Sequence, residues 1–132
     1  MSVKNLWGEL IDVSNVRAPH EILEEQGAVL AEITKGLLNL KIVRKQSSTV
    51  FNYDVFVAMP SMNYKHRILR LIHDVKLYPA MLYDEQNSNE FKSKDAEEFE
   101  ENLGKILTSP DTRVVISGLL VRARLKDRDI LV

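Results

Sequence analysis

The 132-residue chain contains no cysteine. This absence excludes disulfide bonds, zinc sites built from thiolates and a cysteine nucleophile. The five glycines are scattered and form no dinucleotide-binding, phosphate-binding or nucleophile-elbow motif. No apolar run approaches the roughly 18 residues that a membrane-spanning helix needs, and the first residues lack the apolar stretch of a signal peptide. The composition therefore predicts a soluble, cytoplasmic protein with no membrane partner.

A strong charge of one sign is also lacking, since 18 basic and 19 acidic residues give a formal net charge of -1. No overall attraction to nucleic acid follows from such a balance. A basic cluster near the C terminus is diluted by two aspartates and has no aromatic platform beside it, so nucleic-acid binding is not favoured. This cluster consists of Arg122, Arg124, Lys126 and Arg128.

Metal-ligand and catalytic spacings are missing as well. His66 and His73 lie seven apart on one predicted strand and point to opposite faces, while His20 stands alone. The acidic run at 97–101 is typical of a charged helix surface rather than of a catalytic carboxylate pair. The sequence thus predicts no metal, no cofactor and no catalytic residue. An enzyme whose site is assembled from single residues across the fold remains an alternative.

What the chain does have is enough apolar sequence for one domain, 1–132, since 45% of its residues are hydrophobic. Its charge comes in blocks: residues 41–76 carry seven basic and two acidic side chains, whereas 84–101 carry two basic and eight acidic. Such blocks are usually solvated faces, but blocks of opposite sign can also attract one another across an interface.

A helix is predicted from Pro19 to Leu40, because apolar residues recur every three to four positions and Pro19 suits a first helical turn. Before it, a short arm is expected to dock on the core. The apolar residues of this arm are Leu6, Trp7, Leu10, Ile11 and Val13.

Alternating side chains predict three consecutive antiparallel strands, at 49–59, His66–Asp74 and Leu77–Tyr83, followed by a polar loop at 85–94. A helix then begins after Asp95. Ser109-Pro110-Asp111 has the pattern of an N-cap, a proline at the first helical position and an acid in the first turn, and so predicts a last helix over Thr112 to Lys126. A strand is its alternative because residues 114–116 are β-branched. The predicted fold is α+β: an arm and a long helix packed on a three-stranded meander, followed by two C-terminal helices.

Turns centred on Met62 and Lys76 would place Asp54 opposite Arg70 and Leu71 opposite Met81. One face is then apolar and forms the core. The second face is mixed, with an Asp–Arg pair at its centre. It is covered by the C-terminal helices, covered by a second copy of the chain, or a binding surface for a partner or ligand. Its predicted members are Asn52, Asp54, Phe56, Ile68, Arg70, Ile72, Tyr78, Ala80 and Leu82.

The second face carries the functional hypotheses. The first is a small non-enzymatic protein-interaction module, an adaptor, inhibitor or accessory subunit, with self-association as a homodimer possible. Its binding residues would be Asp54, Arg70, Tyr78, Asn52, Ile68 and Ile72. The alternative is a domain that binds a small anionic ligand, such as a nucleotide or metabolite, through Asn52, Arg70, His73 and Gln26.

Overall fold

The computed structural model describes residues 3–45 and 49–128, apart from the side chains of 126–128. Its strands form a single five-stranded antiparallel sheet in the order of the chain, so the α+β class is confirmed. One helix precedes the sheet and two follow it. The elements are α1 (Pro19–Ile33), β1 (Asn39–Lys45), β2 (Phe51–Met59), β3 (Tyr64–His73), β4 (Ala80–Asp84), β5 (Asn89–Ser93), α2 (Ala96–Leu107) and α3 (Pro110–Arg128).

Helix α1 is shorter than predicted, since it ends at Ile33 rather than at Leu40. Lys35 and Gly36 both adopt positive φ angles, of 54° and 83°. The Gly36 N–H donates to the Ala31 carbonyl at 2.7 Å and the Lys35 N–H to Glu32, which is the pattern of a Schellman C-cap. Lys35 and Gly36, both with positive φ, therefore end a helix that the apolar spacing alone would continue.

Two strands are missing from the predicted meander, because the sheet has five strands and not three. Strand β1 uses residues that were partly assigned to the first helix, and it pairs along its length with β2. Strand β5 lies in the predicted polar loop at 85–94. Its sequence is polar because an edge strand with one solvated face needs few apolar side chains.

The predicted pairing of the first two meander strands is confirmed. Asp54 lies opposite Arg70, Val55 opposite Leu69 and Tyr53 opposite Leu71. The ladder shifts register between Val55 and Phe56, which leaves Ile68 as an extra residue on β3. This bulge buries Ile68 completely, beside the equally buried Leu69.

The predicted register of the third meander strand is wrong by one residue, since Leu71 lies opposite Leu82 and Ile72 opposite Met81. The strand begins at Ala80, not Leu77, because Pro79 has no N–H for the ladder. The residue numbers of each β3–β4 pair add up to an odd number, so the loop is centred between two residues. The prediction centred the loop on one residue. This shift of one residue exchanges the two faces of β4.

All three helices pack on one side of the sheet. Buried residues of α1, α2 and α3 belong to a single hydrophobic cluster with the inward side chains of β2, β3 and β4. At the centre of the cluster Phe99 of α2 is fully buried. The C-terminal helices therefore cover the same face as α1, and not the second face.

Both predicted helix starts are confirmed. The Asp95 carboxylate accepts a hydrogen bond from the Glu98 N–H at 2.9 Å at the start of α2. The Ser109 hydroxyl accepts from the Thr112 N–H at 3.3 Å, one residue before Pro110 opens α3. The strand alternative for the last segment is wrong, because Pro110–Arg128 is helical throughout.

The predicted docking of the N-terminal arm on the core is also wrong. Residues 3–16 have no regular secondary structure, and Leu6, Trp7, Leu10 and Ile11 are between 78% and 86% exposed. Ile22 and Leu23 of α1 and the buried residues of α2 close the core without the arm.

Candidate functional site: the uncovered face of the sheet

The face of the sheet opposite the helices carries four rows of side chains, which we call the open face. Cross-strand partners in an antiparallel sheet share a face, so the pairing defines each row. Helices are absent from this side in the described residues. The central row is Val43, Asp54, Arg70, Tyr83 and Glu90; a second is Lys45, Asn52, Ile72, Met81 and Lys92; a third is Lys41, Phe56 and Arg67; a fourth is Asn39, Ala58 and Lys65.

Asp54 is the buried centre of a charge cluster on the open face, with only 3% of its surface exposed. Its carboxylate lies 2.8 Å from the Lys45 ammonium, 3.4 Å from Nε of Arg70 and 3.6 Å from Nη1 of Arg67. Glu85, just beyond β4, contacts both arginines at 3.3 and 3.9 Å. The five side chains form one connected network of three positive and two negative charges.

The pKa of Asp54 reflects this position. Burial disfavours the carboxylate and by itself would raise the pKa. The hydrogen bond and charge of Lys45, together with Arg67 and Arg70, outweigh burial, and the pKa is held below its ordinary value of 3.8. Asp54 is therefore ionised at neutral pH, and it anchors three cations that are a third to a half exposed.

Four of the six predicted binding residues share the open face: Asn52, Asp54, Arg70 and Ile72. The placement of the other two on this face is wrong. Ile68 is buried in the core by the bulge in β3. Tyr78 packs on the core side, where its hydroxyl donates to the Arg17 carbonyl at 2.8 Å and its ring meets Phe99 edge-on.

Ala80 and Leu82 were also predicted on this face, but both are fully buried in the core. The shift of one residue between β3 and β4 exchanges the faces of β4 and so places them there. Met81 and Tyr83 take their places on the open face. With Val43, Phe56 and Ile72 they make five partly exposed apolar side chains around the charge cluster.

The structure does not bring together the residues of the small-ligand hypothesis. His73 lies on the core side, stacked on Phe51 with ring centroids 5.3 Å apart. Gln26 lines a small hollow of about 190 Å³ between α1 and α2. Neither lies near Arg70 on the open face, and a larger groove of about 1060 Å³, between α1 and the start of β1, is lined by none of the four predicted residues.

One polar atom on the open face lacks a partner. The Asn52 side-chain oxygen is buried from solvent and accepts no hydrogen bond from the described residues. A buried acceptor without a donor costs about 1–3 kcal/mol.

The sequence alone did not identify Lys45, Arg67 and Glu85 as members of the cluster. Lys45 lies on the unassigned strand β1 and Glu85 in the predicted loop. Arg67 would point to the core face in a regular strand, and only the bulge at Ile68 turns it toward Asp54. Leu40, Lys41 and Ile42 alternate between apolar and polar side chains, and this alternation is the signal that could have indicated β1.

The described residues contain no group of three or more side chains arranged to hold a metal ion. Along the described ranges, no helix combines the length and apolar character that crossing a bilayer requires. Comparison of the chain with protein-family models, with curated proteins and with solved structures found no match.

Proposed function

We propose that this protein is a non-enzymatic protein-interaction module, an adaptor, inhibitor or accessory subunit, that binds a partner on the open face. The observation that carries the proposal is the combination of five partly exposed apolar side chains with a pre-formed charge cluster, on a sheet face that no described helix covers. Apolar area around well-ordered arginine is typical of interaction surfaces. The cytoplasmic location stays a prediction from composition.

The charges of the open face favour an acidic partner. Its four rows and Glu85 carry six basic side chains and three acidic ones. The excess lies at the edges of the cluster, where Lys41, Lys65 and Lys92 are exposed. A segment that alternates acidic and apolar side chains would match both the rim and the apolar positions between.

A protein segment suits this surface better than a small anion. Arg67 and Arg70 already contact Asp54 and Glu85, so part of their positive charge is compensated within the protein. The surface is a sheet face rather than a closed cavity, and small-molecule sites are usually concave. The partner would gain most of its affinity from apolar area and take its orientation from the charges.

Selection from a random peptide library on the immobilised protein tests the preferred chemistry without a known partner. We expect acidic sequences with alternating apolar residues. For the best peptide, Arg70→Ala should weaken binding by about fivefold or more, which corresponds to about 1 kcal/mol. Ile72→Asp should weaken it further by placing a charge among the apolar positions.

Lys76→Ala is the matched control, because it removes one exposed positive charge from the β3–β4 turn, away from the open face. It should leave the affinity unchanged. Thermal unfolding of each variant shows whether Arg70 contributes to binding or to the stability of the fold. A loss of stability that matches the loss of binding would assign Arg70 to the fold, and selection of basic peptides would contradict the proposal.

A further inference from the structure

The N-terminal arm, residues 3–16, presents a row of large apolar side chains to solvent. Trp7 is 85% exposed, Ile11 is 86% exposed and Val13 is 67% exposed. Short local hydrogen bonds shape the arm, such as the one from the Ser14 N–H to Asp12. Soluble monomers rarely leave so many neighbouring apolar side chains exposed, and such a patch is typical of a segment that binds another surface.

The root of the arm is held firmly. The guanidinium of Arg17 pairs with Glu25 of α1 and with Glu100 of α2, and the Arg17 carbonyl accepts a hydrogen bond from Tyr78. The arm therefore leaves the molecule from a fixed point. Its apolar side chains project into solvent instead of returning to the core.

A second uncovered apolar surface runs along α3, and we call it the α3 groove. Two adjoining hollows of about 380 and 620 Å³ share Val114, Gly118 and Arg122. Val114 is 70% exposed, and Val121 and Leu125 continue the same stripe. Gly118 has no side chain and nothing within 4 Å of where a Cβ would stand, so it leaves a gap in the stripe.

We propose that two copies of this chain exchange arms, with the N-terminal arm of each copy seated in the α3 groove of the other. Leu6, Trp7, Leu10 and Ile11 of one copy then cover the stripe on the other. Reciprocal exchange is self-complementary and closes as a two-fold dimer.

Charge supports this pairing. Glu9 and Asp12 flank the apolar pair Leu10–Ile11 in the arm, whereas Arg113 and Arg122 flank the α3 groove. An arm seated in the groove brings each acidic side chain toward a basic rim. Two α3 helices packed on each other would instead bring the same arginines together.

The available area is also sufficient. Covering the arm's leucine, isoleucine and valine side chains removes about 60–120 Å² each from water, and the tryptophan adds about 200 Å². Each arm thus supplies about 600 Å², and two arms with their two grooves bury about 2,400 Å² together, which is in the range of stable dimers.

Trp7 is the sole tryptophan of the chain and so reports on the arm directly. In light scattering over a series of concentrations, the mass should rise to twice that of the monomer. The fluorescence of Trp7 should shift to shorter wavelength over the same concentrations, as the ring leaves water.

Two variants test the pairing. Leu10→Asp disables the arm and Val121→Asp disables the groove, and each alone should remain monomeric. Mixed together they should form a complex of twice the monomer mass, weaker than the wild-type dimer, because one intact arm meets one intact groove. Val75→Asp, at a valine of the β3–β4 turn that is as exposed as Leu10, is the matched control and should dimerise like the wild type.

Three results would overturn the proposal. A monomer with blue-shifted Trp7 at every concentration would place the arm on its own chain. A dimer that survives Leu10→Asp would mean that another surface, such as α3 itself, pairs. A monomer whose Trp7 stays exposed to water at all concentrations would mean that the arm does not bind a second copy of the chain.

Discussion

Replacing Asp54 with asparagine removes the negative centre of the open-face cluster while keeping its size. Lys45 loses its 2.8 Å partner, and Arg67 and Arg70 keep only their contacts with Glu85. The substitution thus isolates the contribution of one buried carboxylate among three partly exposed cations.

The expected magnitude follows from the exposure of those cations. Partly exposed ion pairs contribute about 0.2–1 kcal/mol each, so three contacts give about 1–3 kcal/mol. Neutralising the side chain also recovers part of the cost of burying a charge. We therefore expect Asp54→Asn to lower the free energy of unfolding by about 1–2 kcal/mol at pH 7, which lowers Tm by about 4–8 °C for a chain of this length.

The pH dependence gives the effect its signature. The native pKa of Asp54 lies below its unfolded value of 3.8, so the native state binds fewer protons there than the unfolded state does. The stabilisation is complete above about pH 5 and is lost as the pH falls through 3.8 and then through the lower native pKa. The difference between wild type and Asp54→Asn should shrink over this interval.

Urea unfolding of both proteins at several pH values measures this difference. Glu90→Gln is the control, because it neutralises an exposed carboxylate in the same cross-strand row. Its effect should stay within about 0.5 kcal/mol. An Asp54→Asn protein as stable as the wild type at pH 7, or a deficit that persists unchanged at pH 2.5, would refute the assignment of Asp54 as an ionised anchor.

Four further substitutions test the packing and capping, each by urea or thermal unfolding. Gly104→Ala should stabilise α2 by about 0.5–1 kcal/mol, because a Cβ there meets nothing, whereas Gly27→Ala should gain less or lose stability, since its Cβ would lie 3.2 Å from the Leu40 Cβ. Equal gains at the two glycines would contradict the close approach of α1 to β1. Phe99→Ala should cost about 3–5 kcal/mol through the cavity it leaves in the core. Asp95→Ala should cost about 1 kcal/mol by removing the N-cap of α2, and an unchanged midpoint would mean that the cap contributes little.

Local signals predicted the starts of the helices and the centre of the sheet. Asp95 and Ser109 act through hydrogen bonds to residues three positions ahead, so their role is contained within one turn of sequence. The pairing of Asp54 with Arg70 followed from alternation and a short turn. The actual hairpin turn is centred half a residue earlier than Met62, and the bulge at Ile68 compensates for the difference.

The errors came from features that alternation does not encode. Whether the β3–β4 loop contains an odd or an even number of residues decides which face of β4 looks inward, and alternation within the strands does not determine that number. The bulge at Ile68 moved one predicted site residue into the core and brought Arg67 to the open face. Composition also could not show that β5 belongs to the sheet, because its side chains are those of a loop.

The two proposed surfaces lie on opposite sides of the sheet. The α3 groove belongs to the helical layer, and the open face is the side that no described helix covers. A second copy seated on α3 therefore leaves Arg70 and Ile72 accessible, so a dimer would present two open faces. Val121→Asp should then abolish the dimer without changing the intrinsic affinity for an acidic peptide. Arg70→Ala should weaken the binding of the peptide without changing the mass of the dimer in light scattering. If one substitution alters both measurements, the two surfaces are coupled through the sheet and the separation argued from the layers is wrong.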